Sequence, residues 1–139
     1  MSDYRNLKVW HRTLDFISQV YDITTHFPSH ELYGLTNQIR RAATSIALNI
    51  AEGATSGYDN EFSRFLRLAI RSANEVGAGF EIAKRLKYCE SSVVQQIIHE
   101  ADEIAAMLQG LLRSLKRTFE SREPYTVNAF ENFDKDFFV

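Results

Sequence analysis

The sequence predicts an all-α fold, an antiparallel up-down-up-down four-helix bundle followed by an irregular C-terminal tail. Three observations support this. Only two prolines and six glycines interrupt 139 residues, which is too few turns for a many-stranded β fold. Hydrophobic residues make up 45% and charged residues 24% of the chain, as in an ordinary globular domain. Four long stretches carry apolar residues spaced by three and four, and short connections between them favour antiparallel neighbours.

The first helix is predicted at about residues 7–26, because its apolar residues alternate by three and four positions. The main stripe consists of Leu7, Trp10, Leu14, Ile17 and Tyr21. A second stripe consists of Phe16, Val20, Ile23 and Phe27. Two stripes are wider than one core contact requires, so we expect part of this helix to face another surface. Pro28 ends the helix.

The second helix is predicted to begin at about Gly34 and to end at Gly53 or Gly57. Its core face carries Leu35, Ile39, Ala43, Ile46 and Ile50. Asp59 is predicted as the N-cap of a third helix that ends near Tyr88. The apolar stripe of that helix is Phe62, Leu66, Ala69, Ala73, Val76, Phe80 and Ala83. Gly77 and Gly79 lie inside it, and each costs about 1 kcal/mol relative to alanine, so we expect a neighbouring helix to approach closely there.

The fourth helix is predicted to open at Ser91 or Ser92 and to reach Arg117. Its heptad-spaced seam is Val94, Ile97, Ala101, Ile104, Leu108, Leu111 and Leu115. We therefore divide the chain into a four-helix bundle at residues 1–117 and an acidic, aromatic C-terminal tail at residues 118–139. The apolar tail residues are Phe130, Phe133, Phe137, Phe138 and Val139. The tail is either a frayed terminus or a segment docked on its own bundle or on a neighbouring subunit.

Composition also bears on where the protein is located and on its partners. The net charge is −2, but residues 36–87 hold eight basic and five acidic residues, whereas residues 118–139 hold two and five. The single Cys89 excludes an internal disulfide, and no segment resembles a secretion signal, so we expect a cytoplasmic location. No apolar run approaches the roughly 20 residues needed to cross a bilayer, so we expect no membrane partner.

The sequence offers no set of catalytic, cofactor-binding or metal-binding residues. His26 and His30 flank Pro28, and His99 and Glu100 lack the Glu-x-x-His spacing of bundle metal sites. Cys89 follows basic residues but has no evident base to activate it. We therefore predict a protein that is not an enzyme and that needs no cofactor.

Polar residues recur beside the apolar face of the second helix. Gln38, Ser45, Asn49 and Glu52 follow three- and four-residue steps with Ala42 between them, and Ser72 and Glu75 interrupt the third helix. A buried amide or carboxylate needs hydrogen-bond partners. We predict that Gln38, Asn49, Glu52, Ser72 and Glu75 form a buried polar network that fixes helix register or subunit pairing. The alternative is a ligand or partner site.

Five arginines make the middle of the chain basic: Arg40, Arg41, Arg64, Arg67 and Arg71. The last three lie at helical spacing along one face. Because guanidinium groups bind phosphate in a bidentate manner, one interpretation is a nucleic-acid contact strip. The other is pairing with Glu52, Glu61 and Glu75 within or between subunits.

The motifs of the middle helices resemble those of a known family. They read FPSHELYGL at residues 27–35, QIRRAA at 38–43, NIAEG at 49–53 and EFSRFLRLA at 61–69. This order resembles the four-helix-bundle proteins encoded in intervening sequences of 23S rRNA genes, over about residues 5–117. The resemblance implies a left-handed bundle and a ring-like homo-oligomer, commonly a pentamer. It also implies a distant structural relation to the accessory protein of diversity-generating retroelements, which works with nucleic acid.

Two functions follow from these observations. The first is a non-enzymatic homo-oligomeric adaptor, pentameric by resemblance, that contacts RNA or DNA through the five arginines. The second is a protein–protein assembly module without nucleic-acid contact, in which oligomerisation and the aromatic tail recruit another protein. Fold alone does not choose between them.

Overall fold

A computed structural model describes residues 3–119 and 135–139 and confirms the all-α antiparallel bundle. Helix α1 spans Lys8–Thr24, α2 spans Leu35–Ala54, α3 spans Asp59–Arg85 and α4 spans Ser91–Phe119. Short 3-10 turns form at Tyr4–Asn6, Ser29–Glu31 and Lys135–Phe137. The described residues contain no β-strand. Helix α4 extends two residues past the predicted bundle boundary at Arg117.

Each helix packs against the helices that precede and follow it in the chain, and α4 also packs against α1. The α2–α3 and α3–α4 pairs have the most extensive contacts, whereas α1 contacts α2 and α4 far less. The bundle is therefore a tight three-helix layer with α1 more loosely attached. The core follows the predicted stripes of α2, α3 and α4, but α1 buries its second stripe at Phe16 and Val20. The predicted main stripe of α1 is wrong at Leu14 and Tyr21, which are 42% and 39% exposed. Each fully buried large side chain contributes roughly 1.5–3 kcal/mol. The largest core members are Phe16, Phe62, Phe80, Leu7, Ile39, Ile46, Ile50, Leu66, Ile104, Leu108, Leu111 and Leu115.

Two glycines allow α2 and α3 to approach closely. A Cβ at Gly53 would lie 2.7 Å from Phe65 Cβ, and one at Gly79 would lie 2.5 Å from Ile39 Cγ1. Real Cβ atoms do not approach so near, so a side chain at either position would force the helices apart. The predicted close approach is confirmed at Gly79. It is wrong at Gly77, where the nearest atom would be 3.9 Å away, on Ile98 of α4.

The start of α3 differs from the prediction. Tyr58 is the N-cap, with extended backbone angles (φ −131°, ψ 137°), and Asp59 is the first helical residue, so the predicted Asp59 cap is wrong. The Asp59 side chain turns inward instead. It is only 4% exposed, and neither carboxylate oxygen has a hydrogen bond in the part of the chain that is described. Burial raises the pKa of Asp59 because desolvation penalises the charged form.

The end of α3 is a Schellman motif. The Tyr88 amide donates to the Ala83 carbonyl at 2.9 Å, and the Lys87 amide donates to the Lys84 carbonyl at 3.0 Å. Lys87 occupies the left-handed position, with φ 66°, where glycine is usual. The Tyr88 ring then packs on Phe27, with centroids 5.8 Å apart, and its hydroxyl donates to Glu31 at 2.9 Å. The turn after α3 is thereby fixed to the connection between α1 and α2.

The last residues of the chain dock on the bundle. An isolated antiparallel bridge joins Leu7 and Phe138, and the Val139 amide donates to the Asn6 carbonyl at 2.8 Å. Phe137 and Phe138 are half-buried against the core. For residues 136–139, docking on the chain's own bundle is therefore the correct alternative, and a frayed terminus is not. Phe130 and Phe133 lie outside the described residues.

Candidate functional site

A small hydrogen-bonded polar group joins the middle of α2 to the middle of α3. The Asn49 amide donates to the Ser45 carbonyl at 2.8 Å and to the Ser45 hydroxyl oxygen at 2.9 Å. The Ser72 hydroxyl of α3 donates to the same Ser45 hydroxyl oxygen at 3.1 Å. Asn49 and Ser72 of the predicted network thus meet through Ser45, a residue that the prediction placed beside them but did not count as a member.

The other predicted network residues are not buried. Gln38, Glu52 and Glu75 are exposed on the single chain, so they do not take part in a buried network that fixes helix register within it, and their burial by subunit pairing stays a prediction. These positions lie at the edge of the α2–α3 contact, where a long side chain reaches water. Their polar groups stay hydrated, which avoids the desolvation penalty that a buried carboxylate would incur.

We use the term α2–α3 face for the outer surface where these two helices meet. Its residues follow three- and four-residue steps around the Ser45–Ser72 hydrogen bond, so they share one side of each helix. From α2 the face includes Gln38, Arg41, Ser45, Asn49 and Glu52, and from α3 it includes Arg64, Leu68, Arg71, Ser72, Glu75 and Ile82. The face has charged side chains of both signs around a central group of hydroxyls and one amide.

Arg40 points away from this face. Its guanidinium donates to Thr24 of α1 at 2.9 Å and lies over the Tyr21 ring, 4.7 Å from the centroid. Successive helical residues are rotated by about 100°, so Arg40 turns towards α1 while its neighbour Arg41 turns towards solvent. Arg40 therefore holds α1 against α2 and is not exposed for a phosphate.

The remaining arginines differ in their surroundings. Arg64 pairs with Glu61 at 3.2 Å and covers the Phe65 ring. The hydrogen bond raises the pKa of Arg64 and lowers that of Glu61, which is the intramolecular pairing that the sequence left open. Arg41, Arg67 and Arg71 are exposed, and among the described residues they have neither hydrogen bonds nor ion pairs from their side chains.

One end of the α2–α3 face is apolar. Leu32, Tyr33, Ile82 and Leu86 are 47%, 90%, 51% and 47% exposed. The antiparallel helices bring the start of α2 and the end of α3 together, and the Tyr88–Glu31 hydrogen bond fixes this arrangement. Single exposed apolar residues are common on proteins, but four at one end of a bundle indicate a contact surface. The sequence signal was the surplus of apolar positions on α3 beyond its core stripe.

A separate groove of about 590 Å³ lies between α1 and α4. It is crossed at one end by an Arg12–Glu100 pair, with N–O distances of 3.0 and 2.5 Å, and this hydrogen bonding lowers the pKa of Glu100. Asp15, Gln19 and His99 contribute polar side chains to its walls. The ion pair clamps α1 to α4, where the two helices otherwise have few contacts.

The described residues supply little chemistry. Burial raises the pKa of the Cys89 thiol, which keeps it protonated and weakly nucleophilic. Across residues 3–119 and 135–139, no three His, Cys, Asp or Glu side chains gather closely enough to hold a metal ion. Over the same residues, none of the helices combines the length and the apolar character of a transmembrane span.

Comparisons with known proteins identify the family. The fold is similar to the crystal structure of a protein with unknown function from the S23 ribosomal protein family of Bacteroides thetaiotaomicron VPI-5482. The TM-score is 0.70 at 24% identity, over 76% of this chain and 95% of that one, so the likeness concerns the fold. No curated protein matches the sequence. The family described as 23S rRNA-intervening sequence protein matches residues 5–110. Since that match spans most of the bundle, the chain belongs to the 23S rRNA-intervening sequence protein family.

Proposed function

We propose that the chain is a non-enzymatic assembly protein that forms a homo-oligomer through its α2–α3 face. The observation that carries the proposal is the exposed apolar end of that face, formed by Leu32, Tyr33, Ile82 and Leu86. Stable interfaces have an apolar centre that loses its water and a polar rim that stays hydrated. The apolar end of this face is the part that would lose its water in an assembly, and the charged and hydroxyl residues along the rest of the face would stay partly hydrated.

The charges on the face suit a second copy of the same chain. Arg41 and Arg71 lie on it together with Glu52 and Glu75, so two copies offer each other opposite charges. A polyanion such as RNA would meet the carboxylates as well as the guanidinium groups. The assembly is a ring if the two contacting patches differ, and a symmetric dimer if they coincide. Five copies is the number that the family resemblance implies, and it remains part of the proposal.

The test compares two variants that place glutamate at exposed apolar positions, one on the α2–α3 face and one outside it. Ile82→Glu combined with Leu86→Glu places two charges in the apolar end, whereas Leu14→Glu places one on α1, at a residue that is 42% exposed. We expect light scattering to give a multiple of the 16.0 kDa chain mass for the natural protein and for Leu14→Glu. The double variant should give the mass of one chain. A natural protein of 16.0 kDa, or a double variant that keeps its full mass, would overturn the proposal.

Nucleic-acid binding is a second candidate function, and it is supported by the exposure of Arg41, Arg67 and Arg71. Only these three of the five predicted arginines are available for phosphate, since Arg40 contacts α1 and Arg64 pairs with Glu61. Arg41 and Arg71 lie on the face proposed for assembly, so they are available for phosphate only outside that contact, whereas assembly would gather several copies of Arg67 on one particle. Each neutralised phosphate contributes about −0.9 to the slope of log K against log salt for duplex DNA, so repeated copies would make binding strongly salt-dependent.

Fluorescence anisotropy with labelled RNA and DNA at roughly 50 mM salt tests this candidate. If the three arginines bind phosphate, their joint replacement by alanine abolishes binding. Arg40→Ala leaves binding intact, because that guanidinium is already engaged by Thr24. Equal nucleic-acid affinities of the triple variant and the natural protein would exclude these arginines as the phosphate contacts. If the natural protein binds neither RNA nor DNA, assembly is the only proposed function that remains.

A further inference from the structure

The C-terminal residues occupy a groove built for them at the end of α4. We call it the tail groove and define it by Asn6, Leu7, Val9, Met107, Gly110 and Leu111. A cavity of about 200 Å³ remains beside the docked tail and is lined by Phe137 together with Val9, Met107, Gly110 and Leu111. At its rim, the backbone of Asn6 and Leu7 pairs with Phe138 and Val139. The groove thus recognises a short extended segment through both backbone and side chain, as in strand addition to an edge.

Gly110 provides the space for this segment. A Cβ at position 110 would lie 3.2 Å from Phe137 Cε1 and 3.7 Å from its Cζ. A glycine inside a helix is less favourable than an alanine. The close approach of the Phe137 ring is a physical reason for glycine at this position, which the sequence alone did not single out.

The contacts between the tail groove and residues 136–139 do not require that the groove and the tail belong to the same chain. Every described contact of the tail is made by residues 136–139, and 15 residues, numbers 120–134, separate the end of α4 from Lys135. Fifteen residues span at most about 50 Å. Helix α4, with 29 residues, is about 43 Å long. The tail is therefore long enough to reach the equivalent groove on an adjacent molecule.

We propose that the tail groove also binds the C-terminal segment of a second copy of this chain, so that copies exchange tails. The contacts are those seen within one chain, and exchange adds none that are strained or new. Tail exchange rests on the proposed assembly function in one respect: assembled copies raise the local concentration of the second tail near the groove. The α2–α3 face is a separate contact at a different part of the bundle.

Two complementary full-length variants test the exchange. Gly110→Leu fills the groove but leaves the tail intact, and Phe137→Ala with Phe138→Ala disables the tail but leaves the groove open. Neither variant can dock its own tail. The first is labelled at Cys89, the only cysteine, and mixed with either the unlabelled second variant or its own unlabelled form. Anisotropy should rise further with the second variant. Equal anisotropy in both mixtures would overturn tail exchange.

This design separates the two proposals. Assembly through the α2–α3 face occurs in both mixtures, so its loss lowers both signals, whereas loss of tail exchange removes only the difference between them. Circular dichroism establishes that each variant is folded before mixing.

A labelled peptide of residues 134–139 gives a measurement that does not depend on Gly110→Leu. It should bind the tail-disabled variant about tenfold more tightly than the natural protein, whose own tail occupies the groove for most of the time. Equal binding to both proteins, or no binding to the tail-disabled variant, would contradict a groove that accepts a tail in trans.

Discussion

Single residues in this bundle depart from ordinary helix chemistry where the chain turns. Lys87 takes the left-handed conformation that usually belongs to glycine, at about 1–2 kcal/mol, and its neighbour Tyr88 offsets this by anchoring the turn. Asp59 places a carboxylate inside the bundle, where a capping residue would have kept it at the surface. Both residues lie beside helix ends, so local backbone geometry takes precedence there over side-chain preference.

Asp59 gives a pH-dependent prediction. Its raised pKa means that the folded chain binds the proton more tightly than the unfolded chain does. The stabilisation is therefore fully present below the ordinary value of 3.8 and is lost as the pH rises through the folded-state pKa. Asp59→Asn stays neutral, so its free energy of unfolding should exceed that of the natural protein by about 1 kcal/mol at pH 7, with the advantage shrinking towards pH 4.

Urea unfolding at several pH values measures this difference. Glu31, Glu61 and Glu100 have lowered pKa values and give the opposite trend, but they are present in both proteins and cancel on subtraction. The exposed Asp22 provides the control, since Asp22→Asn should change stability little at any pH. A pH-independent difference for Asp59→Asn would show that burial does not govern this carboxylate.

At the scale of helices, α3 is the central element, because it packs closely on both α2 and α4. Its two inner glycines have different roles even though they are two positions apart. Gly79 faces Ile39 of α2 at a distance that admits no Cβ, whereas Gly77 turns towards Ile98 with room for one. The separation of α2 from α3 is thus set at Gly79 and Gly53.

This difference predicts opposite effects from one substitution at two sites. Gly79→Ala should destabilise the protein by about 1–2 kcal/mol, because overpacking against Ile39 exceeds the gain in helix propensity. Gly77→Ala should stabilise it by about 0.5–1 kcal/mol, since the new methyl makes ordinary contact with Ile98. Chemical unfolding of both variants gives the comparison. If both substitutions raise the free energy of unfolding, helix propensity alone determines both effects.

Helix positions could be predicted from the sequence because apolar period and chain breakers are local signals. The bounds of α2 and α3 fall within a few residues of the prediction. The angular rule of about 100° per residue also predicts that Arg40 and Arg41 point in different directions, as they do. The exposure of Gln38, Glu52 and Glu75 could not be predicted from the sequence. The helical period predicts the direction in which a side chain points, but it does not predict how closely the neighbouring helix approaches.

At the scale of the whole molecule, contacts are distributed unevenly. Helices α2, α3 and α4 form the tight part, and α1 is held by a few specific links such as Arg40–Thr24 and Arg12–Glu100. The tail groove also joins the start of α1 to α4, so the C-terminal residues add a further link for the loosest helix. The tail groove could not be predicted, since its parts lie about 100 residues apart and carry no shared motif.

The hydrogen bond between Val139 and Asn6 brings the last residue of the polypeptide beside its first turn. A short peptide linker could join Val139 to the residue before Tyr4, with new ends opened at a connection between two helices. Such a circular permutant would keep every helix while fixing which bundle each tail segment serves.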